Sequence, residues 1–314
     1  MKKRSSQSEP QEQSGAYHVP IMTPEVLSGL QIKPGGIYVD CTLGGAGHTR
    51  AILSQLGKEG RLYAFDQDAD ATRNLPDDER IVFIGQNFRH LQRFLRLYEV
   101  TAVDGIVADL GVSSHQFDEA GRGFSIRFDG PLDMRMNIQQ VLSAAEIINN
   151  YDEKDLHRIF EQYGQVTNSK TLARKIVEER KKAPVKTTSD LTSLLNSVSK
   201  GNPNKYAAQV FQSLRIEVND ELNALKDILR DSVGILKPGG RIVIITFHSL
   251  EDKIVKNFFK HGNRDDSLAD GDLFGARARP PFELVTKKPI GPSEAELKNN
   301  PRARSAKLRI AEKR

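Results

Sequence analysis

The chain predicts an α/β protein built on a mainly parallel sheet, and three observations carry that expectation. Short apolar runs rich in β-branched residues recur at 37–43 (IYVDCTL), 62–65, 81–84, 106–110 and 242–247 (IVIITF), the length and content of strands buried on both faces. Segments with helical spacing lie between them. The tetrapeptide Lys-Pro-Gly-Gly stands at 33–36 and again at 237–240, each just ahead of an apolar run, where proline stops a helix and glycine allows the reversal into a strand.

In chain order, residues 1–16 are polar and aperiodic and read as a disordered arm, with folding from Tyr17. Helices are predicted at 49–56 and 91–98, after the first and third strands. The alternation fails between Leu110 and Ile242, a gap far beyond one crossover helix, so an insertion is expected there. Its second half has helical spacing at 152–163, where Asp152 is the N-cap and Leu156, Ile159, Phe160 and Tyr163 share a face, and again at 169–182 and 189–198. One longer helix follows, with Phe211, Leu214, Val218, Leu222, Leu225 and Leu229 at steps of three and four, and is assigned to the main sheet. The expected division is therefore 17–116 with 209–314 for the sheet domain and 117–208 for a mostly helical insertion. Runs at 282–286 and 306–310 predict a terminal hairpin.

A chain of 314 residues with 38% hydrophobic and 28% charged residues is neither a stapled mini-protein nor wholly disordered. Its one cysteine, Cys41, forms no internal disulfide, which points to a reducing, cytoplasmic location. No apolar region follows the basic start and no run approaches eighteen apolar residues, so neither secretion by signal peptide nor a membrane partner is expected. The formal charge of +5 is unevenly placed: residues 276–314 carry 11 Lys+Arg against 4 Asp+Glu, while the rest nets −2. A basic end on a near-neutral body points to a polyanion partner.

The candidate chemistry sits where predicted strands end. Residues 40–48 (DCTLGGAGH) follow the first strand and open a helix, so small residues let a ligand approach backbone and a helix N-terminus. Nineteen residues after Gly47, at the end of the second strand, Asp66 is placed to accept both hydroxyls of a ribose. The dinucleotide fingerprint is incomplete, since Arg50 stands where a third glycine would be, and this favours S-adenosylmethionine over a nicotinamide dinucleotide. Asp109 ends the fourth strand within DLGVSS, followed by Ser113 and Ser114, and His248 follows the fifth within TFHS. Amino-directed methyltransferases often carry Asp/Asn-Pro-Pro-aromatic at the place of Asp109-Leu-Gly-Val. The seven histidines have no ligand-type spacing, so no metal is expected.

Together, HVPIM at 18–22, DCTLGGAGH, DGIVADLGVSS at 104–114, RGFS at 122–125, DGPLDMRM at 129–136, FQSLRIEVN at 211–219, TFHSLED at 246–252 and NPRARS at 300–305 resemble the MraW (RsmH) family of ribosomal RNA small-subunit methyltransferases. The resemblance implies a Rossmann-like, S-adenosylmethionine-dependent methyltransferase core with a mostly helical inserted domain, and methylation of N4 of a cytidine in 16S rRNA. Position by position it implies cofactor contacts at Ala46, Gly47, His48, Asp66, Phe88, Asp109 and Gln116. Asp109 is then expected to position donor or amine, with Ser113, Ser114 and His248 holding the base. Phosphate contacts are expected from Arg302, Arg304 and Lys307 at the basic end and from Arg174 and Lys175 in the insertion. A homodimer is compatible with the sequence. The rival readings are a nicotinamide-dependent oxidoreductase, a methyltransferase for another RNA, and a non-catalytic RNA-binding assembly factor.

Overall fold

The computed structural model describes residues 20–262 and 279–314; the expected disordered arm at 1–16 lies outside them. Helix α1 (Thr23–Leu30) precedes strand β1 (Ile37–Asp40), α2 (Gly47–Leu53), β2 (Arg61–Phe65), β3 (Ile81–Ile84), α3 (Leu91–Leu97) and β4 (Val103–Asp109). The chain then runs through α4 (Ser114–Asp118), α5 (Ala144–Asn150), α6 (Glu153–Gln162), α7 (Ser169–Glu179), α8 (Thr188–Asn196) and α9 (Pro203–Asn219). It returns by α10 (Glu221–Ile235) to β5 (Leu236–Thr246), α11 (Ser249–His261), β6 (Phe282–Leu284), α12 (Glu294–Asn299) and β7 (Lys307–Lys313).

These strands form one seven-stranded sheet in the order β3-β2-β1-β4-β5-β7-β6. The first five are parallel; β7 runs antiparallel to both β5 and β6, so the expected terminal hairpin forms. Val39, Ile106, Ile242 and Ile244 pack on one face with α3, α10 and α11, while Val107, Val243 and Ile245 meet α1 and α2 on the other. Burial on both faces explains why these strands are continuous apolar runs. Strand order reverses between β1 and β4, which opens a crevice at their carboxyl ends.

Helices α5 to α9 enclose a second apolar cluster, in which Leu156, Ile159 and Phe160 of α6 meet Leu172, Ile176, Leu191 and Leu214. Asp152, Ser143 and Thr187 cap α6, α5 and α8 by accepting backbone N–H groups in the first turn. Ahead of these helices, 120–142 forms a strap that carries little regular structure. It docks at Gly130, whose N–H donates to the Thr188 hydroxyl. A Cβ on Gly130 would lie 2.1 Å from the carbonyl oxygen of Ala120. Backbone cannot yield as a side chain does, so Gly130→Ala is expected to lose about 2 kcal/mol or more in urea unfolding.

Two expectations need correction. The single helix across Phe211 to Leu229 is two helices, broken at Asp220 with φ of 48°. Its first half, with Phe211, Leu214 and Val218, packs in the second cluster; Leu225 and Leu229 pack against the sheet. The boundary expected at 208 therefore falls inside α9. Aspartate tolerates the left-handed conformation, and Arg89 holds it there by donating to Asp220 Oδ2 at 2.8 Å. Nor is 237–240 a simple entry turn: Val103 pairs with Leu236 and Gly105 already with Arg241, so the tetrapeptide protrudes within β5.

Candidate active site

The loop after β1 is shaped from inside. Asp40 is buried, and its carboxylate accepts the Thr42 N–H at 3.0 Å and the Thr49 hydroxyl at 2.8 Å. Thr42 in turn reaches across the crevice, its hydroxyl accepting the N–H of Asp109 at 2.8 Å. Ala46, at φ 59°, caps α2 and is fully buried. Gly47 must be glycine, because a Cβ would lie 2.5 Å from the ring of Pro20. His48 is buried, and its Nε2 donates to the Ile21 carbonyl at 2.8 Å, leaving Nδ1 facing Asp109 Oδ2 at 3.8 Å.

Asp66, just past β2, is half-buried and accepts two backbone hydrogen bonds, from Gly44 N on Oδ2 and Asp68 N on Oδ1, both at 2.8 Å. Burial pushes its carboxyl up to about 6, and these two bonds oppose the rise. Each oxygen keeps further capacity to accept a hydrogen bond. Asp109 is different. Its Oδ1 is buried with no hydrogen-bond partner among the described residues, and burial raises the group to about 6 while His48 pulls the other way. Phe88, half-buried, sits next to Asn87, which donates to Gln67 Oε1 at 2.9 Å.

Gln116 is buried, and its amide is spoken for at both ends: Nε2 donates to Asp68 Oδ2 at 2.7 Å and Oε1 accepts Ser113 N at 3.0 Å. Ser113 caps α4 through its hydroxyl, and Ser114 opens that helix half-buried. Beyond β5, His248 caps α11, its Nδ1 accepting the Glu251 N–H at 3.4 Å. Its Nε2 is buried, 3.1 Å from Glu251 Oε1.

Sequence reasoning missed what surrounds His248. Glu251 is buried, with Oε2 accepting the N–H groups of Phe247 and His248. Burial works to raise its carboxyl, but the His248 ring and Arg215 outweigh that and hold it below the usual range. Arg215 makes a two-pronged pair with Glu221 at 2.8 and 2.9 Å, directly beyond the Asp220 break. Donor atoms of Glu221, His248 and Glu251 lie within 4.8 Å of one another. A signal existed in the Glu251 that follows His248 by three residues, a capping-box spacing, but Arg215 and Glu221 meet it only through the fold.

The crevice thus gathers the expected residues from β1, β2, β4 and the loops after them: Asp40, Ala46 to His48, Asp66, Asp109 and, through Asp68, Gln116. The basic residues stand apart and most are already paired. Arg302 grips both carboxylate oxygens of Asp118 and lies 5.4 Å over the Phe117 ring. Lys307 pairs with Asp252 at 3.2 Å, as does the buried Arg309 at 2.7 Å. Lys175 meets Glu179 at 2.7 Å, Arg174 lies 3.9 Å from Glu153, and Arg180 donates to the carbonyls of Ile148 and Tyr151. Arg304 is exposed, and among the described residues no carboxylate pairs with it. No helix among the described residues is long and apolar enough to cross a membrane.

Carboxylates Asp66 and Asp109, at the ends of β2 and β4, suit a cationic ligand better than a pyrophosphate, and the residues present therefore fit an adenosyl sulfonium rather than a dinucleotide. Comparison with known proteins agrees on the class. The chain is 52% identical over 305 residues to the ribosomal RNA small subunit methyltransferase H of Parabacteroides distasonis, covering 96% of this chain and 99% of that one. It is 52% identical over 299 residues to the protein of that name from Bacteroides thetaiotaomicron, covering 95% and 98%, and 52% identical over 300 residues to the one from Cytophaga hutchinsonii, covering 95% and 99%. With residues 15–314 matched from end to end by its model, the chain belongs to the MraW methylase family.

Proposed function

We propose that this chain transfers a methyl group from S-adenosylmethionine to the exocyclic N4 of a cytidine in 16S rRNA of the small ribosomal subunit. The observation that carries the reading is the Asp109 carboxylate at the topological switch point, its side chain partly exposed at the strand ends where such folds bind ligands and its Oδ1 without a hydrogen-bond partner among the described residues. The name shared by the relatives supports the choice of small-subunit rRNA. A cytoplasmic location follows from that substrate.

Asp66 holds the ribose hydroxyls, the 46–48 turn and Phe88 bound the rest of the nucleoside, and Gln116 supports that wall through Asp68. When bound, S-adenosylmethionine supplies a methyl group already activated on a sulfonium. The protein's task is then alignment, because the cytosine amine shares its lone pair with the ring and is a weak nucleophile. Asp109 accepts an amine hydrogen, orients the lone pair along the line of attack and stabilises the positive charge that would appear on nitrogen as the N–C bond replaces the donor's S–C bond; S-adenosylhomocysteine would be the leaving group and the amine proton would pass to solvent. Reaching the amine requires an unpaired or extruded nucleotide, whose base Ser113, Ser114 and His248 hold.

The test is methylation of small-subunit rRNA by the purified protein with labelled donor, followed by mass spectrometry of the digested nucleosides. N4-methylcytidine is the expected product; its absence, or label at another base, contradicts the reading. On the RNA side, Arg302, Arg304, Lys307, Arg174 and Lys175 are proposed to meet phosphates, and Arg304 does so without first breaking an ion pair to any of the described residues. Arg304→Ala is expected to weaken RNA binding about threefold and to reduce the salt slope by about 1, measured by titration across salt concentrations.

A further inference from the structure

Arg122, near the start of the strap, is buried between the crevice and the strap's far end. On one side its Nη1 meets Asp68 Oδ2 at 2.8 Å and Asp70 Oδ2 at 3.3 Å. On the other its Nη2 donates to the carbonyls of Arg135 at 3.0 Å and Met136 at 3.1 Å, in the strap. Asp68 is tied to the crevice twice over. Its N–H donates to the ribose-side carboxylate Asp66, and its Oδ2 accepts from Gln116.

The strap end is in turn clamped to the helical cluster. Asn219, the last residue of α9, donates to the Met134 carbonyl and accepts the Met136 N–H, both at 2.8 Å. Met134 is held at φ 60°, a left-handed conformation that costs an unbranched residue about 1 kcal/mol and persists only where its surroundings impose it. Met136 also reaches back, its sulfur accepting from Gln67 at 3.3 Å, one residue beyond Asp66. A continuous relay therefore runs from Gly44 through Asp66, Asp68, Arg122 and Met134–Met136 to Asn219 and α9.

We infer that Arg122 is a positioning residue that couples occupancy of the methyl-donor crevice to the placement of the strap and helices against the acceptor RNA, an inference that rests on the methyl-donor reading above. Only a guanidinium spans this gap. Its planar fork serves two carboxylates on one side and two carbonyls on the other, whereas an ammonium is a point charge on a flexible stem. A buried guanidinium stripped of partners is costly, so a shift of Asp68 on ligand binding is passed to the strap rather than absorbed.

The experiment measures binding of small-subunit rRNA with and without saturating S-adenosylhomocysteine, for the wild type, Arg122→Lys and Asp68→Asn. The wild type is expected to bind RNA at least fivefold tighter with the nucleoside present, and the nucleoside to bind tighter by the same factor with RNA present, as linkage demands. In Arg122→Lys and Asp68→Asn the factor falls below twofold while cooperative unfolding persists. In Arg122→Lys each ligand's affinity alone changes less than threefold, and in turnover the KM for RNA rises with saturated kcat nearly unchanged. Hydrogen exchange supplies a readout independent of the variants: the Met134 and Met136 amides of the wild type become better protected when the nucleoside binds. Absence of coupling or of added protection in a wild type that binds both ligands overturns the inference alone, as does coupling retained in Arg122→Lys. A wild type that binds no S-adenosylhomocysteine overturns the reading beneath it.

Discussion

Asp109→Asn is expected to lower saturated methyl transfer by about 100- to 1000-fold, the range seen when one preorganised electrostatic contact is removed from a reacting centre. Binding of S-adenosylhomocysteine, which carries no sulfonium charge, changes only a few-fold. The same substitution is expected to stabilise the folded protein, and the sign follows from burial. Buried Oδ1 has no partner among the described residues and the carboxyl is pushed up to about 6, so the native state holds this proton more tightly than the unfolded chain does. Native stability therefore falls as pH rises from about 4 to about 6 and stays lowered above that, by roughly 3 kcal/mol. Asparagine never ionises and escapes that loss. Urea unfolding at pH 4 and pH 8 checks it: the variant gains over the wild type at pH 8 and not at pH 4. Asp66 titrates in the same window but is common to both proteins, so it cancels in the difference. Near-normal turnover by the variant removes Asp109 from the mechanism.

That opposition between activity and stability marks where sequence reading works and where it stops. The parallel strands were legible because burial on both faces leaves few alternatives to unbroken runs such as IVIITF. Helix α6 was legible from a cap that acts within one turn, Asp152. Asp66 and Asp109 were legible because strand ends in this topology face the crevice. Asp220 was not: FQSLRIEVNDEL keeps helical spacing throughout, and the break is imposed by Arg89 arriving from beyond β3 and by Asn219 turning its amide to the strap. The same holds for charge. A count of lysines and arginines sees a basic C-terminal end, but not that Asp118 and Asp252 already hold Arg302, Lys307 and Arg309. Arg122 stands in the sequence only as part of RGFS, and its role shows once residues as far apart as Asp68 and Met136 close around it.

Asp66→Ala is expected to raise the KM for S-adenosylmethionine about 100-fold, since two hydrogen bonds from ribose hydroxyls to a carboxylate are together worth about 3 kcal/mol and each 1.4 kcal/mol is tenfold. The ribose does not change during methyl transfer, so the lost energy is uniform binding, and saturated kcat falls less than tenfold. Asp66→Asn does no better, although it is nearly isosteric. Both carboxylate oxygens accept a backbone N–H, from Gly44 and from Asp68, and an amide must turn its own N–H towards one of them. The pH dependence has the same origin: with the carboxyl at about 6, donor affinity in the wild type weakens as pH falls through 6, and the alanine variant lacks that limb. Calorimetric titration with S-adenosylhomocysteine from pH 5 to pH 8 separates the cases. A variant with unchanged affinity but collapsed kcat makes Asp66 a builder of the loop that aims the methyl group, and moves the ribose elsewhere in the crevice.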